Sequence, residues 1–137
     1  MKKHKICIVG GGLTGLITAL VLSEKALDID LIVENKTSKN KDLRVTAISE
    51  KNVEFLKSSI KNINFKLFYP VKKINLFFEK NNQTKNFLNF DEKKNLMFFF
   101  ENKLIIEHLT KLLKKTKIKV QKKTIKSIDL AENKVFT

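Results

Sequence analysis

The sequence predicts an α/β fold built on a parallel sheet with an antiparallel β excursion. Near the N-terminus, a short apolar strand, a glycine-rich loop, an amphipathic helix and a second apolar strand follow one another, which is the order of a βαβ unit. Further along, a polar turn at residues 80–83 separates two apolar segments and predicts a β-hairpin. The 137 residues are the length of one domain.

The predicted βαβ unit spans residues 5–34. Residues 5–9 are apolar and β-branched, as a buried parallel strand should be, and a helical pattern after the glycines continues to about residue 26. Asp28 is predicted to open a turn before the second strand at residues 29–33. Glu34 then follows 19 residues after Gly15, close to the position of the acid that binds ribose hydroxyls in Rossmann-like dinucleotide-binding units.

The loop at residues 10–15 matches the pattern G-x-G-x-x-G. In that pattern Gly10 allows a tight turn, Gly12 lets the backbone approach a pyrophosphate, and Gly15 lets the helix pack closely on the sheet. Leu13 and Thr14 begin the helix, whose free N–H groups and dipole attract phosphate. All four glycines of the chain lie in this loop, which favours a phosphate loop over a turn without a ligand.

Composition argues against several function classes. The formal net charge of +14 would suit a polyanion, but the basic residues include a single arginine, Arg44, and the lysines are spread along the chain. We therefore expect a solvated lysine surface and no nucleic-acid partner. One cysteine and two histidines offer neither a disulfide framework nor a metal site, and Cys7 is expected in the core. The uncharged run at 6–22 is short and glycine-rich for a membrane span.

The remaining elements follow from local patterns. Ser49 is a plausible N-cap for a helix with apolar residues at 53, 56 and 60. Tyr69 and Pro70 are expected to form a turn that enters a strand. The other predictions are a loop at 35–41, strands at 71–79, 84–90, 96–100 and 118–121, a helix at 103–115, and antiparallel strands at 124–130 and 135–137.

Residues 42–49 carry a more specific pattern, Asp-x-Arg-x-x-Ala-Ile-Ser. Together with the glycine loop and the acid after the second strand, this pattern resembles the flavin-dependent aromatic hydroxylases. Within them it most resembles the ubiquinone-biosynthesis hydroxylase family, relatives of para-hydroxybenzoate hydroxylase. Residues 98–102, Phe-Phe-Phe-Glu-Asn, resemble that family's strand-to-helix segment. The similarity covers the whole chain but about the N-terminal third of a family member, so we expect residues 1–137 to form an incomplete FAD-binding domain without the substrate domain.

The resemblance implies FAD as the cofactor, with its ADP half bound by the glycine loop and Glu34. It also implies that Arg44 reaches the pyrophosphate or ribityl region, where the bidentate arginine fork is hard to replace by lysine. A plain surface charge is the alternative for Arg44. Asn102 would lie beside the ribityl chain, or cap a helix N-terminus, and the two roles are compatible. No residue is singled out as catalytic.

The implied parent activity is hydroxylation of an aromatic or quinone-precursor molecule, with NAD(P)H as reductant and O2 as co-substrate. A cytoplasmic location is expected, while association with the inner face of the plasma membrane and the oligomeric state stay open. Alone, this chain is expected to bind FAD weakly or not at all, to hydroxylate nothing, and to be poorly soluble because strands such as 96–100 lack partners. The alternatives are another FAD- or NAD-dependent oxidoreductase, a polyanion-binding module, or a non-catalytic remnant.

Overall fold

A computed structural model describes residues 4–34, 42–129, 131–132 and 134–136. The predicted loop at 35–41 lies outside these residues, as do parts of the two C-terminal strand predictions. The chain forms two compact units, one made of residues 1–42 with 103–137 and the other of residues 43–102. Among the described residues, no helix is both long and apolar enough to span a bilayer.

The elements follow one another in an α/β order along the described residues. The helices are α1 (Leu13–Ser23), α2 (Glu50–Ser59) and α3 (Asn102–Leu113), with a short 3-10 helix at Phe65–Leu67. The strands are β1 (His4–Val9), β2 (Leu27–Val33), β3 (Val45–Ile48), β4 (Tyr69–Val71), β5 (Lys73–Lys80), β6 (Gln83–Asp91), β7 (Met97–Glu101), β8 (Lys119–Lys122), β9 (Ser127–Asp129) and β10 (Lys134–Phe136).

The first unit contains the predicted parallel sheet, in the strand order β1-β2-β8. Both neighbours run parallel to β2, which is the central and most buried strand. Helices α1 and α3 each bury an apolar stripe, as their helical spacing requires. Strand β2 and helices α1 and α3 supply the core of the unit, formed by Leu16, Ala19, Leu20, Ile29, Leu31, Ile32, Ile105, Leu109, Leu112 and Leu113. The α/β class predicted from the sequence is confirmed.

A buried carboxylate lies within the central strand. Asp30 is 7% exposed, its Oδ2 lies 3.1 Å from Nζ of Lys5 on β1, and its Oδ1 is buried with no hydrogen-bond partner among the described residues. The hydrogen bond to Asp30, followed by the attraction of its charge, raises the pKa of Lys5 above the ordinary value. Any stability that this pKa shift contributes is therefore present below the ordinary lysine pKa of 10.5 and is lost as the pH rises through the folded-state value.

Removing the Lys5 ammonium is expected to destabilise the first unit. Lys5→Met leaves a buried carboxylate without its cation, and such a group costs more than the pair itself contributes. Urea unfolding at pH 7 should show a lower midpoint for this variant. Lys119→Met is the matched control, since Lys119 Nζ lies 3.7 Å from Oδ1 of the more exposed Asp28, and exposed pairs contribute little. Equal midpoints for the two variants would contradict the prediction.

The second unit is organised around β7. Its sheet has the order β3-β7-β4, with β7 antiparallel to both neighbours. Phe100 of β7 is 4% exposed, and its ring meets that of Phe68 edge to face at 5.3 Å between centroids. Helix α2 begins as predicted, because the Ser49 side chain accepts a hydrogen bond from the Asn52 N–H. Its buried residues Val53 and Leu56 complete a small core.

Strands β5 and β6 form the predicted hairpin. Asn81 and Asn82 both have positive φ, at 52° and 57°, as a two-residue hairpin turn requires. A register shift after Leu76 leaves Phe87 as an extra residue on β6, and the ring of Phe87 lies against that of Phe78. One face therefore becomes apolar and mostly exposed, formed by Ile74, Leu76, Phe78, Phe87, Leu88 and Phe90.

Two boundaries predicted around the second strand are wrong. The chain leaves α1 at Ser23 rather than near residue 26, because the Lys25 N–H turns back to the Leu22 carbonyl. Asp28 does not open a turn. It lies inside β2, opposite Lys5 in the parallel register. Charged side chains interrupt the apolar pattern there, and the strand persists because its backbone is paired with β1.

Three further expectations are corrected by the sheets. Tyr69 and Pro70 are part of β4 rather than an entry turn, and proline is tolerated because β4 is an edge strand. The strand predicted at 96–100 has a partner on each side, so it is no source of unpaired edges. Cys7 is exposed rather than in the core, because it alternates with the more buried Ile6 and Ile8 along β1.

Candidate functional site

The glycine loop lies at the carboxyl ends of β1 and β2. Gly10 follows the last residue of β1 with φ +113°, which side chains rarely allow, and its N–H donates to the Ile32 carbonyl at 2.9 Å. This bond ties the start of the loop to the end of the neighbouring strand. In parallel α/β sheets, ligands bind at this edge.

Gly15 lies in the first turn of α1, against the loop itself. A Cβ at this position would overlap the carbonyl oxygen of Gly10 and would contact Cγ2 of Ile8 at 3.8 Å. The obstacle is backbone, which cannot move aside as a side chain can. The absence of a side chain at Gly15 therefore allows the helix to start directly over the loop.

Gly12 is different, because the space beside it is open. Apart from its chain neighbours, no heavy atom of the described part of the chain lies within 4 Å of a Cβ built there, and the residue is exposed. Gly12 is also the N-cap of α1, and no side-chain hydrogen bond from the described residues caps the helix. The first N–H groups of α1, beginning with those of Leu13 and Thr14, thus remain available to an anion. Open space in front of uncapped donors fits the pyrophosphate of a dinucleotide.

Gly11 is a site residue that the sequence pattern missed. A Cβ there would come within 2.7 Å of Cγ1 of Val33, so the loop presses against the last residue of β2. The pattern G-x-G-x-x-G treats this position as free, and the only signal was the unbroken run of three glycines. Glu34 comes next after Val33 and is exposed. The structure therefore brings the acid to the same sheet edge as the loop.

Arg44 and Asn102 are adjacent to each other in the second unit. The Asn102 N–H donates to the Arg44 carbonyl at 3.0 Å, one step beyond the last register pair of β3 and β7. Arg44 is exposed, whereas Asn102 is 5% exposed. Asn102 is the first residue of α3, and its Oδ1 accepts a hydrogen bond from the Thr46 hydroxyl at 2.6 Å. The side-chain oxygen of Asn102 is thus hydrogen-bonded to a residue of β3.

The predicted site residues thus form two groups. Those of the glycine loop, with Glu34, meet at one sheet edge of the first unit, and Arg44 meets Asn102 in the second unit. Neither group lines the cavity of about 480 Å³ in the first unit, which lies where α1 ends and β2 begins. That cavity is lined by Ser23, Glu24, Lys25, Leu27, Asp28, Ile29, Lys115, Thr116, Lys117 and Ile118.

A parallel sheet with a glycine loop at the head of its first helix is the arrangement of a Rossmann-like α/β fold. Solved structures share the fold. The chain superposes on the tetrameric form of 2-methyl-3-hydroxypyridine-5-carboxylic acid oxygenase with a TM-score of 0.71 and 12% identity, over 99% of this chain and 38% of that one. It superposes on p-nitrophenol 4-monooxygenase from Pseudomonas putida DLL-E4 with a TM-score of 0.66 and 18% identity, over 94% and 34%.

A flavin-dependent halogenase from Xanthomonas campestris gives a TM-score of 0.65 at 13% identity, over 98% of this chain and 38% of that one. At these identities the likeness shows the fold alone. The chain spans little more than a third of the length of these three structures. No protein-family model matches the sequence, and no curated protein compared with it is similar enough to count as a match.

Proposed function

We propose that this chain is the FAD-binding part of a flavin-dependent monooxygenase. The observation that carries the proposal is the uncapped N-terminus of α1 behind Gly12, with open space in front of it. An acid follows the second strand of the same sheet, where a ribose would be bound. These donors and this acceptor are complementary to the ADP half of a dinucleotide.

Each group of residues then has a role in binding. The N–H groups at the start of α1 bind phosphate oxygens, and Glu34 accepts hydrogen bonds from the adenosine ribose. Arg44 contributes a cation for the pyrophosphate or ribityl region, and Asn102 an amide for the ribityl chain. A bound flavin would supply the redox chemistry and the reaction with O2, with NAD(P)H as the reductant. The protein's own part is to bind and orient.

The substrate class is also a proposal. The resemblance of residues 42–49 and 98–102 to the ubiquinone-biosynthesis hydroxylases favours an aromatic ubiquinone precursor as substrate. Two of the structures that share the fold are named for a hydroxypyridine carboxylic acid and for p-nitrophenol, which supports an aromatic ring in general. Another FAD- or NAD-dependent oxidoreductase is the alternative. It stays a prediction that the protein is cytoplasmic and has no nucleic-acid partner. Association with the plasma membrane stays open.

If the glycine loop binds the ADP half as proposed, FAD should bind this chain weakly but saturably rather than not at all, with a preference for an unphosphorylated adenosine ribose. The experiment titrates FAD and follows quenching of flavin fluorescence, then adds NAD or NADP as competitors. These competitors differ only in the 2′-phosphate, which the Glu34 carboxylate repels, so NAD should compete at least about fivefold better. Glu34→Gln removes the negative charge and should reduce the difference in affinity between NAD and NADP.

Glu24→Gln is the matched control, because Glu24 is an exposed acid at the opposite end of α1. It should leave the ratio of NAD to NADP competition unchanged. Tighter binding of NADP than of FAD would contradict the role of Glu34. The lack of any saturable FAD binding would contradict the proposed function itself.

A further inference from the structure

Asn102 is held at two points, by Arg44 just before β3 and by Thr46 within β3. Its backbone N–H donates to the Arg44 carbonyl at 3.0 Å, and its side-chain Oδ1 accepts from the Thr46 hydroxyl at 2.6 Å. In the register of β3 and β7, Thr46 lies opposite Phe100, so Thr46 and Asn102 are diagonal neighbours on one face of the sheet. The two residues are 56 positions apart in the sequence.

The environment makes this side-chain bond consequential. Asn102 is 5% exposed and Thr46 is half-buried, so water does not readily replace the hydroxyl. A buried amide oxygen that loses its donor costs free energy, and the side chain would rotate to recover one. The Thr46 hydroxyl therefore fixes the plane of the Asn102 amide.

The same bond determines what Asn102 has left to offer. An asparagine amide has one acceptor oxygen and two N–H donors on its nitrogen. The Thr46 hydroxyl takes one of the two lone pairs of that oxygen, whereas Nδ2 has no hydrogen bond among the described residues and is not fully buried. The Nδ2 group of Asn102 can thus donate hydrogen bonds to a ligand oxygen, such as a hydroxyl or a phosphate oxygen.

We infer that Thr46 is a positioning residue of the cofactor site, holding the Asn102 amide so that its N–H groups donate to an oxygen of the bound FAD. This inference rests on the proposed function. Thr46 does not touch the cofactor in this role and acts through Asn102. Neither the glycine-loop pattern nor the pattern at residues 42–49 assigns a function to position 46.

The test compares three variants of the chain by FAD titration. Thr46→Val removes the hydroxyl but keeps the β-branched shape that suits a strand, and it should weaken FAD binding about fivefold. Thr46→Ser keeps the hydroxyl and should bind FAD within about twofold of the original chain. In an Asn102→Ala background, Thr46→Val should have no further effect, because the amide it positions is gone.

A second readout needs no cofactor. Urea unfolding of the same single and double variants gives the coupling between the two side chains in the free protein. The effects of Thr46→Val and Asn102→Ala on the free energy of unfolding should not add up, since each substitution alone already breaks the hydrogen bond between the two side chains.

The outcomes separate this inference from the function on which it rests. An original chain that fails to bind FAD overturns both. Unchanged FAD affinity in Thr46→Val, with binding intact in the original chain, overturns the positioning role alone. The positioning role is also overturned if Thr46→Ser binds FAD as weakly as Thr46→Val, since the methyl group rather than the hydroxyl would then matter. It is overturned as well if Thr46→Val still weakens FAD binding in the Asn102→Ala background.

Discussion

Gly15→Ala is expected to unfold most of the first unit. The new methyl group would overlap the Gly10 carbonyl oxygen, and backbone on both sides of the contact prevents relief by a rotamer change. Overpacking in well-fitted sites costs about 1–3 kcal/mol, and an obstacle made of backbone should cost at least about 3 kcal/mol. That is a large fraction of the stability of a small domain. Urea unfolding followed by circular dichroism measures the loss.

Gly12→Ala is the matched control for this substitution. It adds the same methyl group three residues away, where nothing lies within 4 Å, and the Gly12 backbone is extended, as alanine can also be. Its stability should stay within about 1 kcal/mol of the original, the cost of alanine in place of glycine at an N-cap. A Gly15→Ala protein as stable as Gly12→Ala would mean that helix α1 does not begin against the loop.

Gly12→Val should abolish detectable FAD binding while the fold survives. The larger side chain would occupy the open space in front of the helix N-terminus, where the pyrophosphate is proposed to bind. Losing two charge-assisted hydrogen bonds there would weaken binding roughly a hundredfold. Fluorescence titration with FAD, and calorimetry with ADP as a probe of the loop alone, measure the effect.

Ala26→Val controls for the addition of a valine side chain. Ala26 is exposed in the turn between α1 and β2, away from the loop end of the sheet. This variant should bind both FAD and ADP as the original chain does. If Gly12→Val retained its affinity for ADP, the glycine loop would not be the phosphate site, even though its geometry suits one.

Local sequence predicted those elements whose signals lie within a few residues of one another. The strand, loop, helix and strand of the first unit were found because periodicity and glycine placement act locally. The hairpin turn was found because asparagine tolerates the positive φ that both turn residues adopt. Ser49 could be assigned as a cap because its partner, Asn52, is three residues away.

The candidate site could be predicted only in part. Gly10, Gly12 and Gly15 were assigned from a pattern whose steric reasons are general. The positive φ of Gly10 and the backbone contact at Gly15 are compatible with those reasons, and the role of Gly12 toward a pyrophosphate stays a prediction. Gly11 was missed, because its restriction comes from Val33, a residue 22 positions later. Thr46 was missed for the same reason, since its partner is on the far side of the hairpin.

The sequence by itself determined the α/β class, the glycine loop at the head of α1 and the acid after β2, since each depends on neighbours along the chain. Only the tertiary structure decided that β7 is a central strand, that Pro70 belongs to an edge strand, and that Asp30 is buried beside Lys5. Sheet pairing joins segments far apart in sequence, and their partners leave no mark in local periodicity. The contact of Thr46 with Asn102 is of this second kind.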